Sequence, residues 1–236
     1  MGIYKSQDDY IAQMYKMFES ELRVANLPER GVITQVLLPS SEQHNRKNLQ
    51  YSRTAPVDQI KVDSNGILGD RHYNSHTREV GRNKELLPGG AYFEGYRHML
   101  AISPHDCEIL SDRLGKTITP ELLGVNLVIA REDRQPYQLS ALPPEAYLVI
   151  APENAETQPR DPIAILVRHA LQKGCKITGA CISQEYGDKT LTARFKEQST
   201  TNRGIVCRVM YPTPDQPAKL RLGQKVFFLY SDGVSD

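Results

Sequence analysis

Residues 57–72, VDQIKVDSNGILGDRH, decide how the chain is read. Val57–Asp63 alternates apolar and polar side chains, the period of a strand with one buried face. Gly66–His72 then sets two glycines three apart, followed by an acid, a guanidinium and an imidazole in a row. Such a run suits neither a helix nor a central strand. It predicts a tight turn that presents charged groups at a strand end. Gly66 and Gly69 allow positive φ, so backbone amides can converge on one side. Arg71 offers a planar fork suited to phosphate or carboxylate, and His72 can donate to the same anion. The other reading is a turn in which Asp70 caps the backbone and Arg71 pairs with an acid. His72 and His76 would form a metal pair on a helix, but the residues between them do not read as one.

The neighbouring segments extend this pattern. GVITQVLLP (31–39) is apolar, β-branched and ended by proline, hence a strand. Before it, residues 8–25 place Tyr10, Ile11, Met14, Met17, Phe18 and Leu22 at helical spacing, an amphipathic helix that would pack across the core or mediate a homodimer. Residues 74–95 read as a long loop, a common home for functional groups. YRHMLAI (96–102), GVNLVIA (124–130) and AYLVIAP (146–152) read as strands. In SPHDCEILSDRLG (103–115), Ser103 is an N-cap, Pro104 opens the helix, Asp106 sits in its first turn and Gly115 closes it. Residues 153–174 read as an insertion whose second half is helical. CKITGACIS (175–183), LTARF (191–195), NRGIVCRVMYP (202–212) and QKVFFLY (224–230) read as short β-type runs. Many short strands with a few helices predict an α+β chain, mainly β, with a barrel or sandwich core. The division expected is a helical extension over 1–30 and a barrel-like domain over 31–232.

Composition narrows the function classes. The net charge is +1 over 236 residues, so no global basic field points to nucleic acid. No apolar run approaches the ~18 residues that would cross a membrane. The first residues lack the apolar core of a signal peptide, so a cytoplasmic location with reduced thiols is expected. There is no P-loop and no GxGxxG. The four cysteines form no CxxC pair, which leaves zinc ribbons and iron–sulfur clusters unsupported. Cys107, Cys175 and Cys207 read as core. Cys181 reads as standing where a strand ends, either an exposed thiolate or a small buried side chain. Arg203, before Gly204, either reaches an anion or seals a turn.

Taken in order, GVITQVLLP, VDQIKVDSNGILGDRH, MLAISPHDCEILSDRLG, ITPELLGVNLVIA, KITGACIS and RGIVCRVMYP…LRLGQKVFF resemble the MOSC domain, the module named for the C-terminus of molybdenum-cofactor sulfurases. The resemblance covers roughly residues 31–230. It implies a β-barrel-like MOSC fold preceded by a helix, standing free of other modules. It also implies binding of the molybdenum cofactor (molybdopterin), independent of pyridoxal phosphate. Residue by residue, it places Cys181 as molybdenum ligand and catalytic thiol. Gly69, Asp70, Arg71 and His72 would hold the cofactor's phosphate, joined by Asn126 and Arg203, with His72 or His76 as proton donor. The activity implied is an oxidoreductase acting on small N-hydroxylated substrates, with electrons from an external flavoprotein. The alternatives are a sulfur or cofactor carrier with a persulfide on Cys181, or a module of this fold that binds no cofactor. Two departures from the family pattern stand out. Val125 replaces the glutamate before Asn126, and GAC (179–181) carries no arginine before its cysteine.

Overall fold

The computed structural model describes residues 30–40, 53–70, 72–74, 76–78, 92–94, 97–144, 146–151, 163–171 and 176–229. The helix expected over 8–25 lies outside them, as do Arg71 and Cys175. The strands are β1 (Arg30–Pro39), β2 (Thr54–Pro56), β3 (Gln59–Asp63), β4 (Gly66–Ile67), β5 (His76–Arg78), β6 (Tyr92–Glu94), β7 (Met99–Ile102) and β8 (Leu127–Arg131). They continue with β9 (Tyr147–Ile150), β10 (Ala164–Leu171), β11 (Ile205–Tyr211), β12 (Ala218–Arg221) and β13 (Lys225–Leu229). The helices are α1 (Pro104–Leu114), α2 (Pro120–Leu123), α3 (Lys176–Tyr186) and α4 (Leu191–Gln198).

Among the described residues, seven strands close on themselves in the order β1, β8, β7, β11, β10, β9, β13 and back to β1. Neighbours are antiparallel except β7 and β8, which run parallel. The closing seam pairs Arg30 with Phe227 and Val32 with Lys225. The far end of β1 leaves the barrel to pair with β2, Leu37 facing Pro56. A small sheet, β12–β3–β4, lies beside it. Among the described residues the chain is therefore a mixed β-barrel with four helices, and the α+β, barrel-like class is the one the patterning predicts.

Strand alternation sorts the core into an inside and an outside. Ile33, Leu127, Ile129, Leu148, Leu166, Val226 and Phe228 fill the barrel. Leu37, Leu100, Ile102, Val128 and Val206 point the other way, against Leu110 and Leu114 of α1, Ile182 of α3 and Phe195 of α4. Each such side chain contributes about 1.5–3 kcal/mol of burial. Helix α1 begins as its sequence predicts, with a capping box: the Asp106 N–H donates to Ser103 Oγ, and the Ser103 N–H to the Asp106 carboxylate. That carboxylate is wholly buried and also accepts from the N–H and hydroxyl of Ser140. It thereby ties α1 to the turn that follows β8.

Three expectations are corrected. CKITGACIS is not a strand; from Lys176 onward it is the start of α3. LTARF is likewise helical and opens α4. The second half of 153–174 is not a helix but β10, a barrel strand paired to both β9 and β11. Ala164–Leu171 are thus part of the barrel. The first half of β10, Ala164–Val167, is a short apolar run, which periodicity does not separate from a helix. Part of the 74–95 loop forms the β5–β6 hairpin.

Candidate functional site

The 66–72 turn folds as its glycines suggest. Gly66 takes φ +119° and Gly69 φ +82°. A side chain at Gly66 would meet His98, because the turn lies directly over that ring. The turn uses its own amides, however. Leu68 N–H donates to Lys61 O, Asp70 N–H to Ile67 O, and Tyr73 N–H to Asp70 O. The His72 N–H donates to Asp70 Oδ1 at 2.7 Å. The expected convergence of free amides is therefore corrected at these positions: ring closure within the turn consumes them. Asp70 caps the backbone, as in the second of its two readings.

Beside the turn lies a small cleft at one rim of the barrel. Pro39 at the end of β1, Arg53 and Thr54 at β2, and Asp70 and His72 of the turn form one side. Arg97, His98, Met99 and Leu100 at the start of β7, with Gly124 and Asn126 before β8, form the other. Its charged and titratable lining comprises two arginines, two histidines and one carboxylate, and that carboxylate is engaged by its own turn.

Two donors in it are held without a partner. Thr54 is only 6% exposed, and its buried hydroxyl meets no hydrogen-bonding atom. Arg53 gives Nη2 to Glu185 of α3 at 2.7 Å, while its buried Nε has none. An unsatisfied buried polar group costs about 1–3 kcal/mol, so two at one cleft are a reservoir that a ligand relieves. His98 is buried and fixed, with Nδ1 accepting the Val209 N–H at 3.2 Å. Sequence reading missed Arg53, Thr54, Arg97 and His98. A polar tract before β2 and a short strand start carry no motif, and only closure of the barrel brings them to one rim.

Of the sequence-selected residues, Asp70, His72 and Asn126 reach the cleft, and Gly69 shapes the turn beside it. Asn126 spends its amide on the frame: Oδ1 accepts the Leu100 N–H at 2.9 Å, and Nδ2 donates to Leu37 O at 3.5 Å. It clasps β7 to β1 at the cleft floor. Arg203 is placed elsewhere, 2% exposed and outside the cleft lining. Its guanidinium donates to Thr178 Oγ1 at 2.6 Å and Leu123 O at 3.3 Å, and lies 5.4 Å from the centre of the Phe195 ring. It rivets α2, α3 and α4 together.

Cys181 is not at a strand end. It lies within α3, fully buried, and does not line the cleft. Cys107 and Cys207 are buried as expected, and burial pushes each thiol up to about 12. None of these three is in a disulfide. Val125 faces the helix-side core, so its departure from the family pattern removes no group from the cleft. Among the described residues no three His, Cys, Asp or Glu side chains gather to hold a metal ion. No described helix is long and apolar enough to cross a membrane.

Fold and cleft together define a closed-barrel protein with a polar-lined cleft at one rim. No family model matches the sequence, and neither does any curated protein. Among solved structures, the YuaD protein from Bacillus subtilis matches with a TM-score of 0.64 and 19% identity, over 84% of this chain and 94% of that one. YiiM from Geobacillus stearothermophilus gives a TM-score of 0.49 and 10% identity, over 85% of this chain and 75% of that one. The chain shares its fold with YuaD.

Proposed function

We propose that the protein is a MOSC-type molybdenum-cofactor protein that holds the phosphate of a molybdopterin in the cleft at the barrel rim. The observation that carries this reading is the pair of unsatisfied donors, Thr54 Oγ1 and Arg53 Nε, in a cleft also lined by Arg97, His72 and His98. A phosphate needs several donors at short range, which these residues supply. Arg53 and Thr54 bind; Asn126 and Asp70 hold the frame; His72, at the cleft wall, is the proton donor. The cofactor, when bound, supplies two-electron oxygen-transfer chemistry, and the substrate class is a small N-hydroxylated compound reduced with electrons from a flavoprotein.

The thiol such a cofactor calls for is assigned to Cys175 rather than Cys181. The family pattern puts its cysteine directly after a strand. Here the strand ends at Leu171 and the next helix begins at Lys176, so Cys175 is the cysteine between them. Cys181, enclosed in α3, gives a persulfide carrier no exposed sulfur.

The test is metal content by elemental mass spectrometry after expression in a host that makes the cofactor. Near-stoichiometric molybdenum is expected, lost in Cys175→Ala and kept in Cys181→Ala. Molybdenum and oxidised pterin both absent from the unaltered protein would sink the cofactor reading. Retention in Cys175→Ala would sink the thiol assignment alone.

A further inference from the structure

We propose that the outer face of β9, β10 and β13, with the end of β11, is the docking surface for the chain's own residues 8–25, packed in cis as an amphipathic helix. The inference stands apart from the cofactor reading and uses none of the residues that line the cleft.

Register lays this face out. Ile165 pairs with both Tyr211 and Val149, and Val149 also with Phe227. Directly paired residues point to the same side of a sheet, so Tyr211, Ile165, Val149 and Phe227 form one row across four strands. Their strand neighbours Leu148, Ile150, Leu166, Val226 and Phe228 fill the barrel, so the row points outward. It is nonetheless dry: Val149 is 1% exposed, Ile165 4% and Phe227 8%. Leu110, Leu123, Ile182 and Phe195, one from each of the four described helices, gather instead with β1, β7, β8 and the start of β11. An apolar face of this size stays dry only under another layer.

The chain ahead of β1 supplies that layer. β1 begins at Arg30, whose backbone partner is Phe227, so the preceding residues join the barrel at the end of the row. On the other side of β1, the β8–β7 flank already carries helices. Residues 26–29 let Ala25 lie no more than about 18 Å from Arg30, and the row is about 14 Å across. A helix over 8–25 is about 27 Å long. It offers Tyr10, Ile11, Met14, Met17, Phe18 and Leu22 on one side. Residues 152–162, which join β9 to β10, hold no branched aliphatic, methionine or aromatic side chain to lay on the face. A helix from a second copy would compete with one held at high local concentration by a four-residue tether.

The test uses the full chain, followed by hydrogen exchange with mass spectrometry and by sedimentation. Amides over 8–25 are expected to exchange at least about tenfold more slowly than in an unstructured chain, in a monomer and at every concentration. Phe18→Glu then puts a charge into the contact and leaves the barrel sequence intact. Met210 packs against the outer face, whereas Met99 lies inside the barrel. Dilute peroxide is expected to oxidise Met210 several-fold faster in Phe18→Glu than in the unaltered chain, with Met99 equally slow in both. Phe18→Ala takes the same role if rapid Met99 oxidation shows that the charge unfolds the barrel. Unprotected amides over 8–25 would overturn the proposal. Protection that arises only as a dimer forms would overturn it in favour of a second copy's helix. An unchanged Met210 rate beside a slow Met99 would overturn it by placing the helix on another surface.

Discussion

Thr54 hides a hydroxyl from water and gives it nothing to bond, an arrangement that opposes folding and favours a guest. Thr54→Val keeps the shape and removes the cost. It should leave the melting temperature unchanged or raise it, while lowering molybdenum retention at least several-fold. A parallel loss of stability and retention would mean the hydroxyl serves the fold instead. The buried thiols make a second prediction. Desolvation moves Cys107 and Cys207 from an ordinary value of 9.0 to about 12. Below pH 9 both are protonated whether the chain is folded or not. Between pH 9 and 12 the unfolded chain sheds those protons and the folded one keeps them, so stability falls as pH rises through that window. The urea midpoint should be lower at about pH 10.5 than at about pH 8. At this scale the sequence was legible in part. Asp70 and His72 stand in a marked turn, and both line the cleft. Arg53, Thr54 and His98 become neighbours only through pairings between distant strands, which no local pattern records.

Elements show where local preference yields to packing. SPHDCEILSDRLG announces its helix with a cap, a proline and an acid, and the structure follows. KITGACIS misleads because Ile177, Thr178 and Ile182 favour strands and Gly179 weakens helices. Gly179 is there for contact: a Cβ at that position would come within 2.9 Å of the Thr192 carbonyl on α4. Close approach of α3 and α4 rewards the glycine more than helix propensity penalises it. Gly179→Ala, stabilising in an isolated helix, should here destabilise by about 1–3 kcal/mol, read as a lower urea midpoint. An unchanged or higher midpoint would mean the helices separate at little cost.

The molecule as a whole is held by closure. Helices cover one outer flank of the barrel, and the cleft opens where β1 parts from β13 and turns toward β2. A sheet without free edges has no strand to shed singly, so loss of one pairing exposes its neighbours. Urea unfolding followed by circular dichroism and by tyrosine emission should give coincident curves. Two separated transitions would show that the helical flank melts apart from the barrel. The barrel class was legible in the count and spacing of short β-type runs. Strand order was not, because it depends on which distant edges meet.

The seam between β1 and β13 has a consequence for synthesis. It joins the first described strand to the last, and β9 waits on the same partner. While the nascent chain is still on the ribosome, β1 can find β8 but not β13. The barrel therefore stays an open, curled sheet with a sticky rim until residues 225–229 emerge from the exit tunnel. Chaperone demand should peak late in translation, and a message truncated just before this strand should yield an aggregating product rather than a shorter working protein.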